Sequence, residues 1–194
     1  MRKVVLTMQT TLDGRIAHAD GGFWEPFAWG EPEQGYLNHY FRAADTWAMS
    51  RVLYEAVVPF WDAVALGQPP DDAGELGPAD LEFAEIQHGL HKVVFSTTMT
   101  GTHGATVIHG DLAAQLQAMK TGPGQDILLS AGPATLAPLW AQTGLVDELV
   151  VPVHPAVIAD GPRLFDGVPA DLALTLAEAQ TFASGCIVLH YLLG

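Results

Sequence analysis

Residues 126–165 read DILLSAGPATLAPLWAQTGLVDELVVPVHPAVIADGPRLF. The run Ile127-Leu128-Leu129 is too short for a free-standing helix and suits a buried strand. Ser130-Ala131-Gly132-Pro133 breaks it. Leu136, Leu139 and Trp140 then fall at helical spacing, and Gly144 follows where a helix stops. A second apolar run, Leu149 to Val153, comes directly after Asp147-Glu148. Strand, tight turn, helix and strand make a βαβ unit, whose strands are expected to be parallel. The turn meets a helix N-terminus, where free N–H groups and the helix dipole favour an anion such as a phosphate.

Composition bounds what surrounds this unit. A chain of 194 residues, 49% hydrophobic and 15% charged, has the make-up of a folded domain, and residues 1–194 read as one. The formal net charge of −14 rests on only 8 Lys and Arg, which are scattered. A general nucleic-acid binder needs a basic surface, so nucleic acid and anionic membrane are not expected partners. The single cysteine, Cys186, excludes an internal disulfide and reads as a small buried hydrophobe in the run CIVLHYLL. No apolar run reaches the length of a membrane span, and MRKVVLTMQ lacks a signal-peptide layout, so a cytoplasmic location is expected.

Along the rest of the chain, Val4 to Met8 reads as a central strand and Asp13-Gly14 as a turn. Gly21 to Gly35 is irregular and aromatic, with Trp24 and Trp29, which suits a lid or pocket wall. Tyr36, Leu37, Tyr40 and Phe41 share a helical face. A strand at Trp47-Ala48-Met49 and a helix over Val52 to Trp61 follow. Gly67 to Pro78 is an exposed connector, and Leu81 to Ile86 a short helix. Strands at Lys92 to Phe95 and Thr106 to Ile108 precede a helix that starts after Asp111. Leu172 to Leu176 and Ile187 to Leu192 read as antiparallel strands. The sum is a three-layer α/β domain: a mixed, mostly parallel sheet flanked by helices, with an antiparallel C-terminal end. The tail is too apolar for a strand facing water on one side, which predicts a homodimer unless both its faces are buried within one subunit.

Arg51 follows a strand and opens a helix, and a guanidinium suits phosphate. Its competing role is an ion pair with a neighbouring carboxylate. Ser96 and Thr97 end a strand and carry hydroxyls suited to the same ligand. His88, His91, His103 and His109 lack the spacing of a metal site, and no metal is expected.

Taken in order, Thr11-Leu12-Asp13-Gly14-Arg15-Ile16, Ala44-Asp45-Thr46, Met49-Ser50-Arg51-Val52-Leu53-Tyr54-Glu55, Lys92 to Ser96, Ala131-Gly132, Gly144 to Leu149 and the Gly185 strand with Tyr191 form a pattern. It resembles the dihydrofolate-reductase-like family that includes the reductase domain of bacterial riboflavin biosynthesis, over nearly the whole chain. The resemblance implies an eight-stranded mixed sheet, NADPH as hydride donor, often a homodimer, and an activity like that of dihydrofolate reductase or 5-amino-6-(5-phosphoribosylamino)uracil reductase. Carried onto this chain, it places the cofactor at Arg51, Ser96, Thr97, Ala131, Gly132, Ala134 and Thr135. The substrate, a small pterin- or pyrimidine-like heterocycle, is placed against Asp13, Trp24 and Trp29. Proton delivery is expected from a carboxyl on the first helix, with Glu33 the candidate.

Three positions depart from the family pattern: Ser50 replaces a glycine before the arginine, Thr97 a basic residue, and Ala131 the first of two glycines. Ala131 puts a methyl on a turn expected to touch phosphate, and Pro133 removes an N–H there. These changes predict weak NADPH binding, with dissociation constants above ~10 μM. The competing view is that the Ala131 methyl packs on the sheet and never meets the ligand. The alternative reading of function is a non-catalytic dimeric small-ligand-binding protein with a degenerate cofactor site.

Overall fold

The computed structural model describes every residue except 23–26, 28, 72, 101–103, 141, 143 and 170. Its strands are β1 (Val4–Thr7), β2 (Thr10–Thr11), β3 (Ala44–Ser50), β4 (His91–Phe95), β5 (Ala105–Ile108), β6 (Asp126–Ser130), β7 (Glu148–His154), β8 (Leu174–Thr181) and β9 (Ile187–Leu193). The helices are α1 (Glu31–Arg42), α2 (Arg51–Ala65), α3 (Pro78–Gly89), α4 (Leu112–Thr121) and α5 (Pro133–Trp140). One nine-stranded sheet runs β5-β4-β3-β6-β1-β7-β9-β8, with β2 also on β7. β1 is parallel to both β6 and β7, so the βαβ unit brackets the N-terminal strand and its two strands do not touch. Of the named strands only β9 is reversed, so its pairings with β7 and β8 are the antiparallel ones, at the C-terminal end.

Strand sequences buried on both faces divide their side chains by parity. Leu6, Ala48, Val93, Ile127 and Leu129 pack on the α4–α5 side with Leu116, Leu136 and Leu139. Val5, Trp47, Met49, Val94 and Leu128 pack on the other side with Leu37, Phe41, Val58 and Phe83 of α1–α3. The Gly144-to-Leu149 segment owes its character to Asp147. That carboxylate accepts the Val4 N–H at 2.8 Å and the ammonium of Lys120 at 2.6 Å, locking β1 and the end of α4 together. Lys120 is itself buried and bonds the Gly144 carbonyl as well.

Three local expectations are corrected. The sheet has nine strands, because the chain leaves it at Met8-Gln9 and rejoins β7 as the two-residue β2. α3 runs the full length Pro78–Gly89, started by Pro78 and by Asp80, whose carboxylate accepts the Gly77 N–H at 3.0 Å. The strand expected at Leu172–Leu176 is β8, Leu174–Thr181. Its second half, AEAQT, is too polar to register as an apolar run, and the ladder to β9 shifts register between Leu176 and Glu178. Nor is the apolar tail β9 buried on both faces: Ile187 and Leu192 are exposed, and β8 beside it is an edge strand exposed along nearly its whole length. Among the described residues, no helix is long and apolar enough to cross a membrane.

Candidate active site

A cavity of about 600 Å³ opens on the α1–α3 side of the sheet. Its walls include Leu37 and Phe41 of α1, Trp47 of β3, Trp61 of α2 and Phe83 of α3. The rings pack edge to face: Phe41 meets Trp47 at 5.1 Å and Phe83 at 4.9 Å, and Trp61 meets Phe83 at 5.1 Å. Such pairs hold ring orientations more tightly than aliphatic packing does. At its sheet end the cavity is bounded by Thr7, Ser130 and Pro152, and over it lie Trp29 and Gln34. Ser130 accepts the Trp47 indole N–H at 3.0 Å. Trp29 therefore stands in this wall. Trp24 lies outside the described residues.

The same sheet end carries the candidate phosphate contacts. In the register, Ser50 stands opposite Phe95 and Met49 opposite Ser130. Arg51, Ser96-Thr97 and Ala131-Gly132 thus follow the ends of three neighbouring parallel strands, β3, β4 and β6. Two helix N-termini, those of α2 and α5, start from this row. Ser50 caps α2 by accepting the Leu53 N–H at 3.4 Å. Arg51 is half exposed and ion-paired with Glu55 at 2.6 Å. Ser96 accepts N–H bonds from Thr98 and Met99 at 3.2 and 3.0 Å, so its hydroxyl oxygen braces the turn, and Thr97 is exposed. The Gly132 carbonyl takes the N–H groups of Thr135 and Leu136, and Ala134 is exposed beside them. A Cβ at Gly132 would stand 3.3 Å from Ile16, which keeps this turn close to the loop after β2.

Ala131 corrects an expectation. Its side chain is fully buried, in the core with Ile16, Leu129 and Leu136. The methyl faces the sheet and the α4–α5 layer, so it is no obstacle to a ligand on the turn. Asp13 also stands apart from the cavity wall. Its carboxylate accepts the Thr11 hydroxyl at 2.6 Å, the Arg15 guanidinium at 3.1 Å and the Ile158 N–H at 3.3 Å. With the Thr11 hydroxyl foremost, these bonds hold its pKa below the usual carboxylate value. Asp13 serves the turn, in which Gly14 takes φ 80°.

Glu33 is 2% exposed, although it sits in the first turn of α1. It accepts a hydrogen bond from the Ser184 hydroxyl of the β8–β9 turn. It does not line the large cavity, whereas its neighbour Gln34 does. Near it is His154, the last residue of β7 and 1% exposed. Among the described residues, neither His154 ring nitrogen has a hydrogen-bond partner. The ring rests on Phe27 and Trp29, with centroids 5.0 and 5.2 Å away. Burial pushes the His154 pKa below its ordinary value, and the charge of Glu33 pulls the other way. Burial likewise raises the Cys186 thiol to about 11, with Glu33 adding to the shift. Trp29 thus touches both the cavity and the buried His154 ring, with Glu33 near enough for its charge to act on that ring. Sequence reasoning missed His154, whose only signal is its place at the end of LVVPVH.

Three of the four histidines weighed as metal ligands are engaged elsewhere. His88 bonds Asp62 at 3.0 Å, His91 pairs with the Thr106 hydroxyl at 3.2 Å and His109 bonds the Ser96 carbonyl at 2.6 Å. His103 lies outside the described residues.

Comparison with known proteins agrees with the fold. The chain is 27% identical over 192 residues to the uncharacterized protein YyaP of Bacillus subtilis, covering 98% of this chain and 94% of YyaP. Among solved structures it is similar to a putative riboflavin biosynthesis protein from Shewanella sp. PV-4, with a TM-score of 0.69, 18% identity and 99% of each chain covered. It is also similar to the dihydrofolate reductase of Enterococcus faecalis solved with NADP(H), with a TM-score of 0.62, 12% identity and coverage of 99% and 96%. The fold is dihydrofolate-reductase-like. The model of the RibD C-terminal domain matches residues 2–188, and the chain belongs to that family.

Proposed function

We propose that this protein is an NAD(P)H-dependent reductase that transfers hydride to a small flat heterocycle of the pterin or pyrimidine type. The observation that carries the reading is Ser130. It ends β6, borders the aromatic cavity and precedes the turn that opens α5. Substrate cavity and phosphate row therefore meet at one residue, as two reactants brought to contact require. The donor set fits a dinucleotide: two helix N-termini for phosphate charge and Arg51 as the one guanidinium at the row. The bound cofactor would supply the hydride. This chain's residues would do the rest. The aromatic walls orient the ring and exclude water, and Gln34 offers amide hydrogen bonds to its edge. Proton delivery is assigned to the Glu33 carboxyl, one residue behind Gln34 on α1, with His154 beside it.

A competing reading is a binding protein without turnover, favoured by one observation: Arg51 is already engaged by Glu55. Titration with NADPH and NADH, followed by tryptophan fluorescence, decides between the two. Saturable quenching by either cofactor is the expected result, and its absence with both would leave the binding-protein reading.

Two copies pair, in this proposal, through the exposed β8 edge. Leu174 and Leu176 are 39% and 53% exposed there, and an open apolar edge strand invites a partner.

A further inference from the structure

We infer that the substrate is a neutral or cationic ring that carries no phosphate or carboxylate. The inference rests on the assignment of the aromatic cavity as the substrate site. It comes from a census of cations. The chain has 8 Lys and Arg, and all of them are described. None lines the cavity, and among the described residues no histidine does. Seven of the eight already stand beside a carboxylate. Arg2 pairs with Asp45, Lys3 with Glu148, Arg15 with Asp13 and Arg42 with Glu82. Arg51 pairs with Glu55, Lys92 with Asp62 and Lys120 with Asp147. Arg163 donates to the Asp13 carbonyl at 3.3 Å.

The cavity wall instead carries two carboxylates, Glu75 of the connector and Asp80 of α3. An anionic ligand would lose its hydration there, gain no counter-charge and face two like charges among aromatic rings whose faces are themselves negative. A ring with N–H donors, or with a protonated nitrogen, meets acceptors and π faces instead. A phosphoribosyl-bearing substrate, such as 5-amino-6-(5-phosphoribosylamino)uracil, is the opposite of what this wall favours. The reaction that supplies the substrate would therefore be one that leaves the ring free of its phosphate, or never attaches one.

Ligand selectivity tests this without turnover or cofactor. Trp29, Trp47 and Trp61 line the cavity, so their quenching reports occupancy. The probes are pterin, 6-carboxypterin and the more basic 2,4-diamino-6,7-dimethylpteridine at low ionic strength. The expected result is binding of the neutral and basic rings at least about tenfold tighter than the carboxylate, with Glu75→Lys reducing that ratio. N-phenyl-1-naphthylamine and its sulfonated analogue 8-anilino-1-naphthalenesulfonate repeat the comparison without requiring a pteridine. The neutral dye should be preferred, and Glu75→Lys should narrow the preference. Carboxylate or sulfonate binding as tight as that of the uncharged partner would overturn the inference. Failure of NADPH to bind would count against the reductase reading alone, because this selectivity is measured without it.

Discussion

Replacing His154 with methionine tests the buried imidazole that packs on Trp29. The side chains are similar in volume, so the change removes the two ring nitrogens with little change in filling. In the neutral imidazole one nitrogen is a donor and one an acceptor, and both are buried without a partner among the described residues. Each such group costs about 1–3 kcal/mol. Against that, methionine forfeits the ring contacts to Phe27 and Trp29, worth about 0.5–1.5 kcal/mol apiece. The variant should thus be more stable at pH 8, by on the order of 1–3 kcal/mol. The pH profile is the sharper readout. Burial depresses the folded-state pKa of His154. Below the ordinary histidine value of about 6.5 the unfolded chain takes a proton that the folded one refuses. Wild-type stability should therefore fall with pH from there, by up to about 1.4 kcal/mol per unit, until the pH passes the folded pKa. Other histidines titrate in the same window, so the difference between wild type and variant isolates this one. The carboxylates with lowered pKa values, Asp13, Asp45, Glu82 and Glu148, act only at more acid pH, near about 4 and below. Urea unfolding of both proteins between pH 8 and 5.5 measures the effect. Parallel stability curves, or a variant weaker at every pH, would refute the assignment of an unpaired, neutral imidazole.

Arg51→Ala should weaken NADPH roughly ten- to a hundredfold while NADH changes little, if the guanidinium meets the 2′-phosphate; calorimetry showing equal losses assigns it elsewhere. Ala131→Gly should leave NADPH affinity unchanged and lower stability by about 1–2 kcal/mol, since it removes a buried methyl and loosens the unfolded chain. Denaturant unfolding beside cofactor titration reads both numbers, and tighter NADPH binding by the glycine form would restore the steric explanation. Leu176→Glu should convert a dimer to a 20.7 kDa particle in sedimentation. Wild-type protein already at that mass at micromolar concentration would dispose of the β8 pairing.

What could be read from the amino acids follows the range of the interactions involved. The β6–α5–β7 unit declares itself because apolar runs, a turn and helical spacing are all local. Arg51, Ser96 and Gly132 could be picked out because each follows an apolar strand, and parallel strands present their ends together. The position of β1 between β6 and β7 could not be read, since pairing across the chain leaves no mark on either segment. β2 is too short for a pattern. β8 alternates with too many polar residues for an apolar-run criterion, as an exposed edge strand does. Ala131 and Asp13 show the other limit: residue type and turn position were clear, but the side a side chain takes depends on packing against Ile16 or Arg15. Glu33 was singled out for its chemistry, and its burial against Ser184 comes from the distant β8–β9 turn.

The threading of β1 between β6 and β7 also sets the order in which this molecule can assemble. The Lys3 N–H bonds the Asp126 carboxylate 123 residues ahead, and the Val4 N–H bonds Asp147 143 residues ahead. During synthesis the strand destined for the middle of the sheet emerges before both its neighbours and waits, its apolar side chains unclaimed, until they have been made. The fragment holding α1 to α4 cannot close its sheet in that interval, because β3 also needs β6. Closing such long loops makes folding slow and leaves an early species with a sticky leading strand. Folding yield, more than native stability, should therefore be sensitive to substitutions at Val4, Val5 and Leu6.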